Sequence, residues 1–185
     1  MCTSVHIIGC GSVGYSISQL IPTLPKVQSI HLYDPGCFDV LDAKFKFLPK
    51  VDCEYRMNKA ISAQLQLWGK YRNIEVRAYE KEVTENDIKG MSGLIIDCRD
   101  IRQQVKLDCN FSVYADEHKG IIDGSKSKTT RGFDRKYLYG NKTHFFSYLA
   151  KEVIKYIDKE AYSDKLKIEF LLEKRKIIYI KGYEK

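Results

Sequence analysis

The chain has 185 residues, of which 44% are hydrophobic and 30% are charged. This composition is typical of a globular protein and excludes a disordered chain. The formal net charge of +7 permits an acidic partner without requiring one. No apolar stretch approaches the roughly 20 residues of a membrane span, and the N-terminus lacks the pattern of a signal peptide. We therefore expect one domain over residues 1–185, located in the cytoplasm, with no membrane association.

The most informative pattern is a glycine-rich turn near the N-terminus. An apolar run leads directly into G-x-G-x-x-G at residues 9–14, which opens a predicted helix. Such a turn aims backbone amides and the positive end of the helix dipole at one place, which suits a phosphate group. Gly9 would permit the tight turn, Gly11 the approach of the phosphates, and Gly14 the close packing of helix on strand. The predicted phosphate-binding residues are Gly9, Gly11, Ser12, Val13 and Gly14.

A carboxylate follows the second predicted strand. The apolar run Ile30-His31-Leu32-Tyr33 ends at Asp34, 25 positions after Gly9. This is close to the distance at which a dinucleotide-binding unit presents an acid to the ribose hydroxyls. The alternative is a turn without a ligand and an aspartate that caps a loop. The strand, the turn, the helix and Asp34 together favour nucleotide binding.

The rest of the chain alternates strands and helices, which is typical of a mostly parallel sheet covered on both faces. We predict an α/β, Rossmann-like fold with a mostly parallel twisted sheet, helices on both faces and a C-terminal β-hairpin. The hairpin strands are predicted at 167–172 and 177–180, and irregular segments at 35–53 and 116–141. The other predicted strands are 4–9, 28–33, 73–79, 92–97 and 110–115. The predicted helices are 12–21, 54–68, 100–107 and 143–159.

Cysteine spacing and basic charge point to no further site. The six cysteines form no C-x-x-C pair, which disfavours a disulfide framework or a closed zinc site and favours buried, reduced thiols. Lysines and arginines cluster over residues 119–142. No RNA-recognition or helix-turn-helix pattern accompanies them, so we do not expect nucleic-acid binding.

Two later elements extend the pattern beyond that of a dehydrogenase. A long segment after Asp34 leads to Arg56-Met57-Asn58-Lys59-Ala60 at a predicted helix start. The fourth predicted strand then ends in Asp97-Cys98-Arg99-Asp100, a D-x-x-D pattern. In this order and spacing, these elements resemble the adenylation domain shared by ThiF, MoeB and the ubiquitin-activating enzymes. The resemblance covers roughly residues 3 to 115.

The resemblance implies adenylation chemistry, in which a carboxylate attacks the α-phosphorus of ATP and pyrophosphate leaves. It implies that Asp34 binds the ribose, that Lys59 contacts phosphate, and that Asp100 is the Mg²⁺ ligand. The partner implied is a small ubiquitin-like protein or another acceptor protein, with assembly as a homodimer or as a heterodimer with a longer homologue. The implied catalytic residues are Lys59, Asp100 and Lys46, and the implied further nucleotide contacts are Lys44 and Asp97.

Departures from the family pattern support two other functions. Asp42 and then Lys44-Phe45-Lys46 stand where the family carries Asn and then Arg-Gln, and Ile101 stands where an asparagine follows D-x-x-D. One alternative is therefore a catalytically degenerate binding or regulatory subunit, and the other is an NAD-dependent oxidoreductase. At single positions, Lys59 could instead be an exposed helix residue, Asp100 the N-cap of the helix that follows, and Asp97 a strand-end residue facing solvent.

Overall fold

The computed structural model describes residues 3–44, 48–99, 107–115, 119–123, 142–158, 167–173 and 176–180. Its strands are β1 (Thr3–Ile8), β2 (Val27–Tyr33), β3 (Glu75–Tyr79), β4 (Leu94–Asp97), β5 (Phe111–Ala115), β6 (Lys119–Asp123), β7 (Lys167–Glu173) and β8 (Lys176–Ile180). Its α-helices are α1 (Ser12–Leu20), α2 (Lys50–Glu54), α3 (Lys59–Trp68), α4 (Glu85–Lys89) and α5 (Lys142–Asp158).

The described strands form a single sheet in the order β3-β2-β1-β4-β5-β6-β7-β8. The first five strands in this order are parallel, and β6, β7 and β8 continue the sheet in antiparallel fashion. Ile7 of β1 lies opposite Leu32 of β2 on one side and Ile96 of β4 on the other. The strand order reverses between β1 and β4, so the carboxyl ends of these strands border the crevice in which open α/β sheets bind ligands. The predicted fold class and the C-terminal hairpin are confirmed.

Two apolar clusters lie on opposite faces of the sheet. Helices α1, α3 and α5 cover one face, where Ile17, Ala63 and Val153 are fully buried against strand residues such as Ile7. On the other face, Val83 and α4 pack over Ile8 and Ile95. Alternate residues of each strand therefore point into different layers, as parallel sheets require. None of the helices in the described ranges is long and apolar enough to cross a bilayer.

The segment between β2 and α3 differs from its prediction. The helix expected over 54–68 is wrong at its start, because α2 ends at Glu54 and α3 begins only at Lys59. Arg56 has φ of +51°, and this left-handed backbone interrupts a helix. The interval 35–53, expected to be irregular, also contains a short 3₁₀ helix, Val40–Lys44.

Two further differences concern short elements. The interval 116–141 was expected to be irregular, but β6 lies within it and pairs with β5 and β7; the structure does not describe 116–118 or 124–141. The short helix α4 was not predicted, although Thr84 and Asp87 form a capping box at its start. The helix predicted over 100–107 falls outside the described residues except for Leu107.

Candidate nucleotide-binding site

The glycine turn joins the carboxyl end of β1 to the start of α1. Gly9 has φ of +90° and its N–H donates to the Tyr33 carbonyl at 2.8 Å. A Cβ on Gly9 would lie 2.8 Å from the Arg99 backbone nitrogen, and a Cβ on Gly14 would lie 1.9 Å from the Gly9 carbonyl oxygen. Side chains of any kind are therefore excluded at both positions, and the close packing predicted for Gly14 is present.

The middle glycine has a different environment. A Cβ on Gly11 would meet no atom of the described structure within 4 Å. Gly11 is the N-cap residue of α1, and no side chain caps this helix start within the described residues. The start of α1, where the helix dipole is positive, therefore borders open space at Gly11 and has no side-chain cap, whereas Ser12 and Val13 are not among the cavity-lining residues.

Asp34 ties the end of β2 to the glycine turn. One carboxylate oxygen accepts the Cys10 N–H at 2.7 Å, and the other accepts the Gly36 N–H at 2.8 Å. Asp34 therefore does cap a loop, as the alternative interpretation held. Each carboxylate oxygen can accept more than one hydrogen bond, so this cap leaves acceptor capacity for a hydroxyl.

Asn58 holds the start of α3 against this loop. Its Nδ2 donates to the Asp34 carbonyl at 2.8 Å and its Oδ1 accepts the Ala60 N–H at 2.9 Å. The neighbouring Lys59 N–H donates to the Gly36 carbonyl at 3.0 Å. Asn58 was not among the predicted site residues, although an asparagine directly before a helical run is a recognisable N-cap signal.

These residues surround one cavity of about 360 Å³. The Lys59 Nζ lies on its border, 3.9 Å from the place that a Cβ of Gly36 would take. The opposite border is formed by the segment after β3, where Lys81 is paired with Asp87. The lining residues are Ile8, Gly9, Gly11, Tyr33, Asp34, Pro35, Gly36, Lys59, Lys81, Glu82, Val83, Cys98 and Arg99.

A buried ion pair closes the end of the cavity at β4. Asp97 is only 4% exposed, so the interpretation of it as a strand-end residue facing solvent is wrong. Arg99 Nε and Nη2 each donate to one Asp97 oxygen at 3.0 Å, and the Arg99 N–H donates to Oδ1 at 3.1 Å. This two-pronged contact fixes the turn against which Gly9 packs. Arg99 also brings a guanidinium to the cavity border, although the sequence at 44–46 offers no equivalent of the family arginine.

Two buried thiols, one of the glycine turn and one of the cavity lining, are held in their protonated form. Burial raises the pKa of Cys10 and of Cys98 well above the ordinary value for a thiol. A protonated thiol is a poor nucleophile at neutral pH, so neither is suited to a thioester. The five cysteines of the described residues form no disulfide, and Cys37 is exposed.

Comparison with known proteins gives a structural match only. No protein-family profile matches the sequence, and no curated protein matches it significantly. Escherichia coli MccB aligns over 99% of this chain and 63% of its own, with a TM-score of 0.67 and 13% identity. The chain has the MccB fold.

Two further structures share this fold. PaaA aligns over 97% of this chain and 72% of its own, with a TM-score of 0.67 and 14% identity. Escherichia coli MccB with ATP aligns over 99% of this chain and 64% of its own, with a TM-score of 0.65 and 15% identity. The fold expected from the ThiF and MoeB resemblance is confirmed. The chain spans about 63% of the length of MccB.

Three predicted site residues lie outside this geometry. Lys46 and Asp100 are not among the described residues, and Lys44 is described only as the last residue of the 3₁₀ helix. Within the described ranges, no group of three His, Cys, Asp or Glu side chains could hold a metal ion. The metal role of Asp100 remains a prediction.

Four stacked rings support the glycine turn from the face opposite to α1. His6 stacks on His31 with centroids 4.6 Å apart, and Tyr33 stacks on Tyr79 at 4.7 Å. His6 Nδ1 lies 3.1 Å from the Tyr33 hydroxyl, and His6 Nε2 lies 3.1 Å from the Ser92 carbonyl. Burial, with smaller effects of Tyr79 and Asp87, raises the pKa of Tyr33 to about 12. Tyr33 therefore stays protonated and donates to a neutral His6, while its own carbonyl holds Gly9.

We expect His6 to make stability depend on pH. Burial, and secondarily the nearby His31, lowers the pKa of His6 below its ordinary value. The unfolded chain therefore binds a proton more readily, and stability is lost as the pH falls below about 6.5, the unfolded value. Urea unfolding at pH 7.5 and 5.5 should show this loss, and His6→Gln should make it smaller. An unchanged pH dependence in His6→Gln would contradict the assignment.

Proposed function

We propose that the chain binds ATP in this cavity and uses it to activate a carboxylate by adenylation. The supporting observation is the meeting of three groups in one cavity: the backbone of Gly11 at the uncapped start of α1, the Asp34 carboxylate and the Lys59 ammonium. Amides and an ammonium suit a polyphosphate, and a carboxylate suits ribose hydroxyls. MccB, a protein of the same fold, has been solved with ATP, which agrees with ATP as the nucleotide proposed here.

The positions of these groups give an orientation for ATP. The phosphates would lie over Gly11, where a Cβ meets no atom within 4 Å. The ribose would hydrogen-bond to Asp34, whose carboxylate is held in place by two backbone amides. The base would then extend over Ile8 toward Val83, the apolar part of the cavity border. Asp97 would act indirectly, because its carboxylate is bound to Arg99.

The chemistry follows from the charges at the phosphate end. A carboxylate oxygen of the acceptor attacks the α-phosphorus, a new P–O bond forms, and the bond to pyrophosphate breaks with the electron pair leaving on pyrophosphate. Negative charge grows on the phosphate oxygens during this step, and Lys59 together with the amides of the turn would stabilise it. A Mg²⁺ ion held by Asp100 would neutralise part of the charge on the leaving pyrophosphate.

The acceptor in this proposal is the carboxylate of a partner protein, such as the C-terminus of a small ubiquitin-like protein. Escherichia coli MccB has been solved with MccA, so a protein of this fold is known in complex with a second molecule. We also propose assembly as a homodimer or with a longer homologue. Four large apolar side chains between β2 and α3 are exposed and are available for such contacts: Val40, Leu41, Val51 and Tyr55.

Removal of the Asp34 carboxylate tests the nucleotide site. We expect Asp34→Ala to weaken ATP binding at least about tenfold in calorimetry, because the ribose contact and the anchoring of the Cys10 amide are both lost. Glu85→Ala, which removes an exposed carboxylate outside the cavity, is the matched control. Urea unfolding of both variants separates lost binding from lost structure. ATP affinity unchanged in Asp34→Ala would count against the site.

A second function, that of a nucleotide-binding regulatory subunit, is favoured by one observation. The first acid of the D-x-x-D pattern, Asp97, is bound to Arg99 within the chain. ATP binding without ATP–pyrophosphate exchange would select this function.

A thermal-shift ranking with ATP, AMP and NAD tests the oxidoreductase alternative, since a bound ligand raises the melting temperature by mass action.

A further inference from the structure

The outer edge of β3 carries backbone groups that point away from the sheet. β3 is the terminal strand of the described sheet. The Tyr79 carbonyl accepts the Asp34 N–H at 3.2 Å and therefore points toward the β2 side. Because strand residues alternate in direction, the N–H and C=O groups of Val76 and Ala78 point outward. The Gln64 side chain confirms this direction, since its Nε2 donates to the Val76 carbonyl at 2.7 Å.

A groove of about 520 Å³ runs beside this edge. The side chain of Trp68, at the end of α3, is 52% exposed, and Tyr71 follows it. Val76 itself is buried, so the apolar surface of the groove comes from these two aromatic rings. The lining residues are Gln64, Trp68, Tyr71, Arg72, Ile74, Glu75, Val76 and Arg77.

The charges of the groove are unequal. Arg77 pairs with Glu75 through its guanidinium, so these two side chains cancel. Arg72 is exposed and contributes a positive charge to the same lining. An outward-facing strand edge is a ready template for another strand, and the net positive charge here favours an acidic one.

We propose that this edge binds an extended, acidic peptide segment of a partner protein by strand addition. The segment would pair with the outward backbone groups of Val76 and Ala78, and Gln64 would exchange its hydrogen bond to Val76 for one to the peptide. An apolar side chain of the segment would rest on Trp68 and Tyr71, and an acidic side chain would face Arg72. Main-chain hydrogen bonds would supply affinity, and the two side-chain contacts would supply selectivity. This site is separate from the nucleotide cavity and does not depend on ATP.

The test uses the intrinsic fluorescence of Trp68, the single tryptophan of the chain. The probe is a seven-residue peptide with blocked ends, alternating valine and threonine around a central phenylalanine, with a glutamate near each end. Titration into the full chain should give a saturable blue shift of Trp68 emission. The same peptide with N-methyl groups on its pairing amides should bind at least about tenfold more weakly, because it keeps its side chains and loses its donors. No saturable shift, or equal binding of both peptides, would overturn the proposal.

Two variants distinguish strand addition at this edge from nonspecific binding of the peptide. Ala78→Pro removes an outward N–H that makes no bond within the sheet, and proline is tolerated at such edge positions. We expect it to abolish peptide binding, as measured by calorimetry, and Arg72→Glu to weaken binding at least about tenfold. Leu65→Ala, which changes an exposed residue of α3 outside the groove lining, should bind the peptide as the wild type does. If Ala78→Pro fails to fold, the N-methylated peptide still tests whether binding requires main-chain hydrogen bonds.

Two more measurements test whether the fluorescence change arises from a peptide bound at this edge. Lys59→Ala should bind the peptide normally, because it alters only the nucleotide cavity. Peptide binding that failed in this variant would overturn the separation of the two sites. Size-exclusion chromatography of the free chain is the second measurement. If the free chain self-associates and Ala78→Pro abolishes this association, the edge binds a second copy of the chain instead of a partner peptide.

Discussion

Replacement of Gly14 by alanine is expected to lower the free energy of unfolding by about 3 kcal/mol or more, or to prevent folding. The added Cβ would lie 1.9 Å from the Gly9 carbonyl oxygen and 3.0 Å from the Gly9 carbonyl carbon. Both atoms belong to the backbone, so relief requires α1 to move away from the end of β1. That movement would also separate α1 from the core, in which Ile17 is fully buried.

Gly11→Ala is the matched control, because it adds the same methyl group three positions earlier in the same turn. No atom lies within 4 Å of the added Cβ, and φ at this position is −66°, which alanine adopts without strain. We expect stability to change by no more than about 1 kcal/mol, the usual range for a substitution at a helix N-cap. ATP affinity should nevertheless fall at least about tenfold, because the methyl group would take the space assigned to the phosphates.

The pair of glycine variants is measured by urea unfolding and by ATP calorimetry on the same preparations. The expected result is that Gly14→Ala loses stability and that Gly11→Ala loses only ATP affinity. Equal stability of the two variants would contradict the close contact of α1 with the turn. Wild-type ATP affinity in Gly11→Ala would instead contradict the phosphate position.

The parallel half of the fold could be predicted because local pattern and tertiary structure agree there. The apolar runs of β1 and β2 are buried, and the G-x-G-x-x-G turn joins β1 to α1 as expected. By contrast, β6 pairs with β5 and with β7, and β7 follows it by more than 40 positions. A partner as distant in sequence as β7 leaves no local signal. With only five residues, and followed by a basic segment, β6 was therefore predicted as part of a loop.

Some residues of the candidate site could likewise be predicted from the sequence, and others could not. Gly9, Gly11, Asp34 and Lys59 line one cavity, as their order along the chain predicts for this type of fold. The roles of Asp97 and Arg99 could not be predicted, since a side chain that follows a strand by two positions can turn toward solvent or back onto the strand end. The structure shows the second arrangement, with both guanidinium contacts at 3.0 Å.

Lys59→Ala is expected to slow ATP–pyrophosphate exchange about 100-fold or more, the usual effect of removing one charged or hydrogen-bonding group from a transition state. Lys59 is the first residue of α3, and Asn58 fixes this position by hydrogen bonds to the loop after β2. The backbone position that directs the Lys59 ammonium to the cavity is therefore already fixed by Asn58. Loss of the side chain beyond Cβ removes charge stabilisation while the helix cap stays intact, so stability should be nearly unchanged.

Lys50→Ala is the matched control for this experiment. Lys50 is likewise the first residue of a helix, α2, but it is exposed and lies outside the cavity lining. Lys59→Arg keeps the charge and should retain part of the exchange rate, whereas Lys59→Ala should not. If all three variants exchange at the wild-type rate, Lys59 does not contact the reacting phosphate. If wild-type protein binds ATP and exchanges no pyrophosphate under any condition, the cavity serves the regulatory function and Lys59→Ala should then weaken ATP binding alone.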